Sequence, residues 1–379
     1  MKIGIDIRCL GNNINTDYAF FLTEVLKKMM LKFGQDEFLL ISDKTSDSSF
    51  ITGENVKTVV KGPSTGNPLL LKLWYDVKLP AILKKHDVEI LVAGPGVCSL
   101  QTNIPQCLVI DDISYLQFPS DTKRGTLFFL RRYMKSFMQK SGSILTGSNF
   151  LSEEIIQLFP RAKEKIRVIQ NPGKNFHALD ENAKDKTRKE YTGGKNYFLF
   201  SGPIDHRSNI INLLKAFSVF KKRQKTDWKL VIAGSISPRF KKFATDLKTY
   251  KYRDSLVLLE RVTEMELEKL TGAAYAVVNP GHAEGWSAIM LAALRSEVPL
   301  ILSKKYSPGQ WADDAVLYVD QSDHTDIAEK MMLIYKDESL RKSMVEKAVR
   351  VAGEFTWDKA ADELMKVIRE TAGRGHKAA

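Results

Sequence analysis

The sequence predicts an α/β protein of two doubly wound domains facing a cleft. Three observations carry that reading. Short apolar runs of strand length alternate with amphipathic helix patterns along the chain, the pattern of parallel βαβ units. The alternation breaks once, between Lys174 and Asn196, where the chain turns polar and charged, and then restarts. The chain has 379 residues, and domains of about 150–200 residues are the natural size for one core.

Taken in order, Lys2–Ile7 is the first strand, and a polar loop, Leu10–Thr16, leads into a helix over Asp17–Lys32. Glu37–Ser42 and Val56–Val60 are strands, and a helix containing Leu69, Leu73, Trp74 and Val77 ends near Lys85. Glu89–Ala93 and Gln106–Ile110 follow as strands. Lys123–Lys140 is a helix with Leu127, Leu130, Met134 and Phe137 on one face. Ser143–Thr146 and Ile166–Ile169 close the first half. In the second half Tyr197–Phe200, Lys229–Ala233, Ser255–Leu259, Tyr275–Val278 and Pro299–Leu302 read as strands. A helix from Ser287 to about Ser296 joins the last two, and helices near 323–335, 339–351 and 356–369 end the chain. The expected division is 1–173 as first domain, 174–195 as linker, 196–355 as second domain, and 356–379 as a final helix and tail.

Composition narrows the class. Hydrophobic content of 44% and charged content of 27% are those of a globular protein. No apolar run reaches the roughly 18–20 residues of a membrane span. Charges inside Met1–Arg8 argue against a secretory signal. Cys9, Cys98 and Cys107 have no metal-ligand spacing and are too few for a disulfide framework, which makes a reducing cytoplasm the default location. The net charge of +12 leaves anionic membranes and phosphorylated small molecules open as partners. Nucleic acid is not favoured: there is no zinc-finger spacing, no aromatic RNA-binding signature and no long basic tract.

The stretch with most chemistry in it is Pro280–Pro299, a strand end, a loop bearing Glu284, and a helix start. In parallel sheets ligands bind where strand ends meet helix N-termini. Around it stand Leu73-Trp-Tyr-Asp-Val-Lys-Leu-Pro80, Val109–Pro119, Thr146-Gly-Ser-Asn-Phe-Leu151 and Ile166–Gly173. Phe200-Ser-Gly-Pro-Ile-Asp-His-Arg-Ser-Asn209, Leu213-Leu-Lys-Ala-Phe217, Leu230-Val-Ile-Ala-Gly234 and Phe355-Thr-Trp357 follow. In the order and spacing of these segments the chain resembles a glycosyltransferase of family 4, with the GT-B fold. The resemblance implies an acceptor domain first, a nucleotide-sugar donor domain second, and a last helix crossing back to the first domain.

It also implies a site. Glu284 falls on the first of the family's two glutamates and would orient donor sugar hydroxyls; the second falls on Ala292, which has no carboxylate. Arg207 stands beside the position where the family has a Lys, here Ser208, followed by Asn209. Asp112 matches a family Asp, and Asp111 takes the place of a His that contacts the donor sugar. Gly202, Gly281, His282, Trp286, Ser287 and Ala288 complete the expected donor site, and Gly11 and Asn12 the acceptor side, where the family has a Gly-Gly pair. The implied reaction retains configuration and uses no metal or other cofactor. Cations and helix N-termini stabilise the departing diphosphate.

Two readings follow. The first is a transferase moving a sugar from a nucleotide donor to a glycan or lipid-linked acceptor in cell-surface polysaccharide synthesis. The second is a catalytically inactive GT-B protein that binds a glycan or a partner glycosyltransferase. The basic helix over Lys123–Lys140 adds an anionic membrane, on its inner face, as a further candidate contact.

Overall fold

The structure, a computed structural model, describes residues 1–12, 17–45, 53–282, 288–306, 312 and 315–376. It divides into two compact units. One is Met1–Pro172 together with the segment from Phe355 onward; the other is Gly173–Glu354.

The first unit is built on seven parallel strands: β1 (Lys2–Asp6), β2 (Glu37–Ser42), β3 (Val56–Val60), β4 (Ile90–Pro95), β5 (Gln106–Val109), β6 (Ser143–Thr146) and β7 (Ile166–Val168). Their order is β3-β2-β1-β4-β5-β6-β7. Crossovers between parallel strands need intervening helices, and the chain supplies α1 (Asp17–Lys32), α2 (Pro68–Leu73), α3 (Leu79–Lys85), α4 (Arg124–Lys140) and α5 (Asn149–Leu158). A π-helical turn, Trp74–Lys78, joins α2 to α3. The inner strands are buried on both faces, as their continuous apolar runs require.

The second unit repeats the scheme with six parallel strands: β8 (Tyr197–Ser201), β9 (Lys229–Ala233), β10 (Leu256–Leu259), β11 (Ala276–Asn279), β12 (Leu300–Ser303) and β13 (Val316–Val319), in the order β10-β9-β8-β11-β12-β13. Its helices are α6 (Glu181–Thr192), α7 (Ile210–Gln224), α8 (Lys242–Asp246), α9 (Glu264–Ala273), α10 (Ala288–Arg295), α11 (His324–Lys336) and α12 (Glu338–Gly353). The final helix, α13 (Trp357–His376), belongs to the first unit. It lies along α1: Lys28 and Lys32 pair with Asp358 and Asp362 at 3.2 and 2.7 Å, and Trp357 meets the ring of Phe20 edge-on at 5.7 Å. Thr371 Oγ1 shares a hydrogen bond of 2.6 Å with Ser143 Oγ of β6.

Three elements differ from the sequence expectation. The stretch expected as linker, 174–195, holds α6. Asp180 caps its N-terminus by accepting from the Ala183 N–H at 2.7 Å, and Gly193 ends it in the left-handed region at φ +63°. Only Thr187 and Thr192 of α6 are buried, so it shows no apolar periodicity; its pairs Lys184–Glu181 and Arg188–Asp185 support it instead. Strand β13 was missed although all four of its residues, Val316–Val319, are apolar. The single helix expected to contain Leu69, Leu73, Trp74 and Val77 and to end near Lys85 is divided into α2, the π-turn and α3; Leu69, Leu73 and Val77 on it are exposed, whereas Trp74, Tyr75 and Leu79 are buried.

Candidate functional site

In doubly wound sheets the ligand crevice lies beyond the carboxyl ends of the strands where strand order reverses. In the second unit that point falls between β8 and β11. The loop after β8 runs 202–209, and the loop after β11 begins at Pro280.

Glycines open the first loop. Gly202 sits at φ +146° and Gly234, at the end of β9, at φ +158°. A Cβ on Gly234 would lie 1.8 Å from the Gly202 carbonyl oxygen, so the two backbones meet where no side chain fits. The pairing continues outward: Ile204 N–H donates to Ser235 O, and Ser237 N–H to Ile204 O, both at 2.9 Å. This holds Asp205 at a fixed position.

Asp205 then organises the turn. Its Oδ1 accepts from the backbone N–H of Arg207 (2.9 Å) and of Ser208 (3.1 Å). Its Oδ2 accepts from Arg207 Nε and pairs with Nη2, each at 2.8 Å. The carboxylate is buried and the guanidinium half-buried. Ser208, buried, donates its hydroxyl to Asp205 O at 2.7 Å. Its side chain therefore closes the turn. Asn209 adopts φ +54°, which Asn tolerates better than most residues, and its amide donates to Pro280 O (2.8 Å) and Gln321 O (2.7 Å). A backbone bond from His282 N–H to Arg207 O, 2.7 Å, ties the two loops. Gly281 N–H donates to Asn279 Oδ1 at 3.3 Å. Burial lowers the His282 pKa and nearby Lys305 adds to the effect, so the ring is neutral at pH 7.

The structure thus brings Gly202, Arg207, Ser208, Asn209, Gly281 and His282 together. Glu284, Trp286 and Ser287 lie outside the described residues, and Ala288 is the first residue of α10. Ala292 is fully buried within α10, so its methyl has no surface to offer a donor. Asp205 was missed in the sequence. The signal was there, because Asp two and three residues before backbone donors is a turn-forming pattern.

The corresponding point of the first unit lies between β1 and β4. Gly11 and Asn12 end a 3₁₀ turn, Arg8–Asn12, that follows β1. Asp111 and Asp112 follow β5. Asp112 is exposed, and its Oδ1 accepts from Ser114 N–H at 2.6 Å. Asp111 is half-buried, and its charge reaches Cys9 and Tyr18. The sequence reading also missed what fills this point. Buried Asp6 accepts from Arg8 N–H (2.9 Å) and from Arg8 Nε (3.0 Å to each oxygen), and pairs with Nη2 (2.9 Å). Arg8 also donates from Nη1 to Thr65 Oγ1 (3.0 Å) and from Nη2 to Tyr75 Oη (2.8 Å). The Tyr75 hydroxyl in turn hydrogen-bonds Asp6 Oδ2. Burial lowers the Arg8 pKa, but the negative charges facing it outweigh burial and the net shift is upward.

Other chemistry is narrow. Burial pushes the Cys9, Cys98 and Cys107 thiols up to about 12, so none is a thiolate at neutral pH. Among the described residues no three His, Cys, Asp or Glu gather as a metal site. What the β8/β11 loops offer is one carboxylate-fixed guanidinium, a neutral imidazole and closely approachable backbone.

Residues 181–351 match the family described as glycosyl transferases group 1. The chain is 22% identical over 265 residues to O-antigen chain mannosyltransferase B of Escherichia coli, covering 68% of each. Over 249 residues it is 26% identical to an α-1,4-N-acetyl-D-galactosaminyltransferase of Campylobacter jejuni named for an undecaprenol-linked glycan, covering 64% of this chain and 63% of that one. Sucrose-phosphate synthase from Thermosynechococcus elongatus superposes with a TM-score of 0.74 over 98% of both chains at 13% identity. HepE of Anabaena, solved in complex with UDP and glucose, gives 0.70 at 12% identity over 98% of this chain and 100% of that one.

Proposed function

We propose that the protein transfers a sugar from a nucleotide-sugar donor to a glycan or lipid-linked acceptor in cell-surface polysaccharide synthesis: residues 181–351 match the family described as glycosyl transferases group 1, and the chain has the GT-B fold. The donor domain is the second unit. The observation that carries this reading is the turn at the β8 end, where Asp205 fixes the Arg207 guanidinium beside a glycine-lined backbone. The relatives' named activities, O-antigen mannosyl transfer and N-acetylgalactosaminyl transfer onto an undecaprenol-linked glycan, support the acceptor class.

In the proposed reaction an acceptor hydroxyl oxygen bonds to the anomeric carbon on the face that the diphosphate leaves, so configuration is retained. The carbon–oxygen bond to the diphosphate breaks, and a phosphate oxygen takes the acceptor's proton. Negative charge grows on the leaving group, and that is where a fixed cation lowers the barrier. Arg207 supplies it: its fork is preoriented, so little side-chain freedom is lost on meeting phosphate. Glu284 and neutral His282 orient the donor sugar. No step calls for a metal.

The test is saturable binding of UDP-, GDP- or ADP-sugars and slow donor hydrolysis, both lost in Arg207→Ala and hydrolysis lost in Glu284→Gln. Absence of binding to every nucleotide at millimolar concentration would sink the proposal. One observation favours the second reading, a GT-B binder without catalysis. Where the resemblance expects a Lys and a second Glu stand Ser208, used in its own turn, and fully buried Ala292. Nucleotide binding without donor hydrolysis or transfer is the outcome that selects it.

A further inference from the structure

The second unit carries a charged face that donor binding leaves unexplained. α7 has Lys215, Lys221, Lys222 and Arg223 and no acidic residue. The segment after β9, residues 239–253, has Arg239, Lys241, Lys242, Lys248, Lys251 and Arg253 against one carboxylate, Asp246. Tyr250 joins the two: its hydroxyl donates to Leu214 O and accepts from Ser218 Oγ, both at 2.8 Å. Ser218 stands between Lys215 and Lys222 on α7, so both lysines share the helix face that meets Tyr250. Lys221 is spent on its own helix end: buried, its Nζ donates to Thr226 O and, at 3.1 Å, to Trp228 O. Lys215, Lys222, Lys248, Lys251 and Arg253 are exposed. Arg253 pairs with Asp254 at 3.7 Å, and among the described residues none of these four lysines has an ion pair. α6 is the contrast: its cations are interspersed with Glu181, Asp185 and Glu190, as on an ordinary solvated face.

Three features say what meets this face. The first is spread. Lys215 and Lys222 are roughly 10 Å apart along the helix, and Lys248, Lys251 and Arg253 stand on a separate segment. One small anion cannot reach them all, but a chain with repeated charges can. The second is the lack of apolar protrusions: no large apolar side chain of 239–253 is exposed, so the segment has nothing to enter hydrocarbon. The third is aromatic. Tyr250 and Tyr252, both half-buried, lie with ring centroids 6.2 Å apart, and Lys251 Nζ sits 5.5 Å over the Tyr252 ring. The C–H faces of sugars pack on such rings while anionic substituents meet the lysines beside them. Bases stack on tyrosines too, but the sequence has no nucleic-acid module.

We propose that the face formed by α7 and residues 248–253 binds an acidic polysaccharide, one with carboxylates or phosphates along its length, and so holds a glycan away from its reacting end. The choice of a glycan among polyanions rests on the sugar-transfer reading. Binding is measured without nucleotide, so the two can fail separately. Full-length protein is titrated with polygalacturonate, neutral dextran, polyglutamate and a single-stranded polynucleotide. The expected result is saturable binding of polygalacturonate that weakens with salt, none of dextran, and weaker binding of the other two polyanions. Lys222→Ser, Lys248→Ser and Lys251→Ser combined lower polygalacturonate affinity by about tenfold or more and flatten its salt dependence, since fewer counterions are released. Tyr252→Ser weakens polygalacturonate binding more than polyglutamate binding. Circular dichroism and donor hydrolysis are unchanged in both variants. Failure to bind polygalacturonate, equal binding of dextran, or wild-type affinity in the triple variant overturns the proposal. Tighter binding of polyglutamate or of the polynucleotide overturns it too, and names an acidic protein or a nucleic acid as the occupant.

Discussion

The turns after β1 and β8 stand at equivalent points of the two sheets and share one construction. In each, an Asp accepts from the backbone N–H of an Arg two residues on, at 2.9 Å, and grips its guanidinium through Nε and Nη2. What surrounds them differs. Arg8 is roofed by Tyr75 and Trp74, its carbon Cζ 4.6 and 4.8 Å from their ring centroids, and its remaining nitrogens meet Thr65 and Tyr75. Arg207 keeps 28% of its side-chain surface exposed. The same Asp-x-Arg turn is therefore a structural strut in the first unit and a presented cation in the second. Local sequence makes the turn; cover decides what it does.

The comparison can be broken by experiment, and the largest effect is expected at the strut. Arg8→Ala leaves Asp6 buried without its partner and should cost about 3–5 kcal/mol, read from urea unfolding. Arg207→Ala removes a guanidinium that is 28% exposed and leaves the buried Asp205 carboxylate its two backbone N–H donors, so it should cost less, about 1–3 kcal/mol, while abolishing donor hydrolysis. Equal stability losses would show that the two turns are not in different environments. Next comes Ala292→Glu, which the resemblance would suggest restores a donor contact. Because Ala292 is fully buried, overpacking and an unpaired carboxyl should destabilise by about 2–4 kcal/mol; a stable variant with raised nucleotide affinity would instead place this position at the ligand. Tyr75→Phe removes the hydroxyl that links Arg8, Asp6 and the Gly94 N–H, for about 1–2 kcal/mol.

The smallest effect concerns His282. Its folded pKa lies below the ordinary 6.5, so the unfolded chain binds its proton more readily. Stability is then full above 6.5 and falls as pH drops below it. Proton NMR should place the His282 midpoint under 6.5, and His282→Gln should flatten that part of the pH–stability curve. A midpoint at or above 6.5 would remove the burial argument.

Much of the fold was legible because strands in parallel sheets are continuous apolar runs. Glu37–Ser42, Ser143–Thr146 and Lys229–Ala233 fall where the sequence reading put them, and so does Val56–Val60, although Lys57 and Thr58 interrupt its apolar run. α6 was not legible, since a helix held by caps and surface pairs has no apolar stripe. At the site, Arg207, Asn209 and His282 were singled out from the resemblance, but Asp205, which fixes the first, was not. Nor was the Asp6–Arg8–Tyr75 network, because the residues closing it stand 57 and 67 positions from Arg8.

The sequence by itself determined the α/β class, the parallel alternation and both Asp-x-Arg turns, because those rest on strand periodicity and on hydrogen bonds between near neighbours. Only the tertiary structure decided that Arg8 is roofed and that Arg207 keeps part of its side chain exposed, that Ala292 is sealed, and that Leu69, Leu73 and Val77 face outward. Burial is set by what distant segments bring against a residue, and no local pattern contains that.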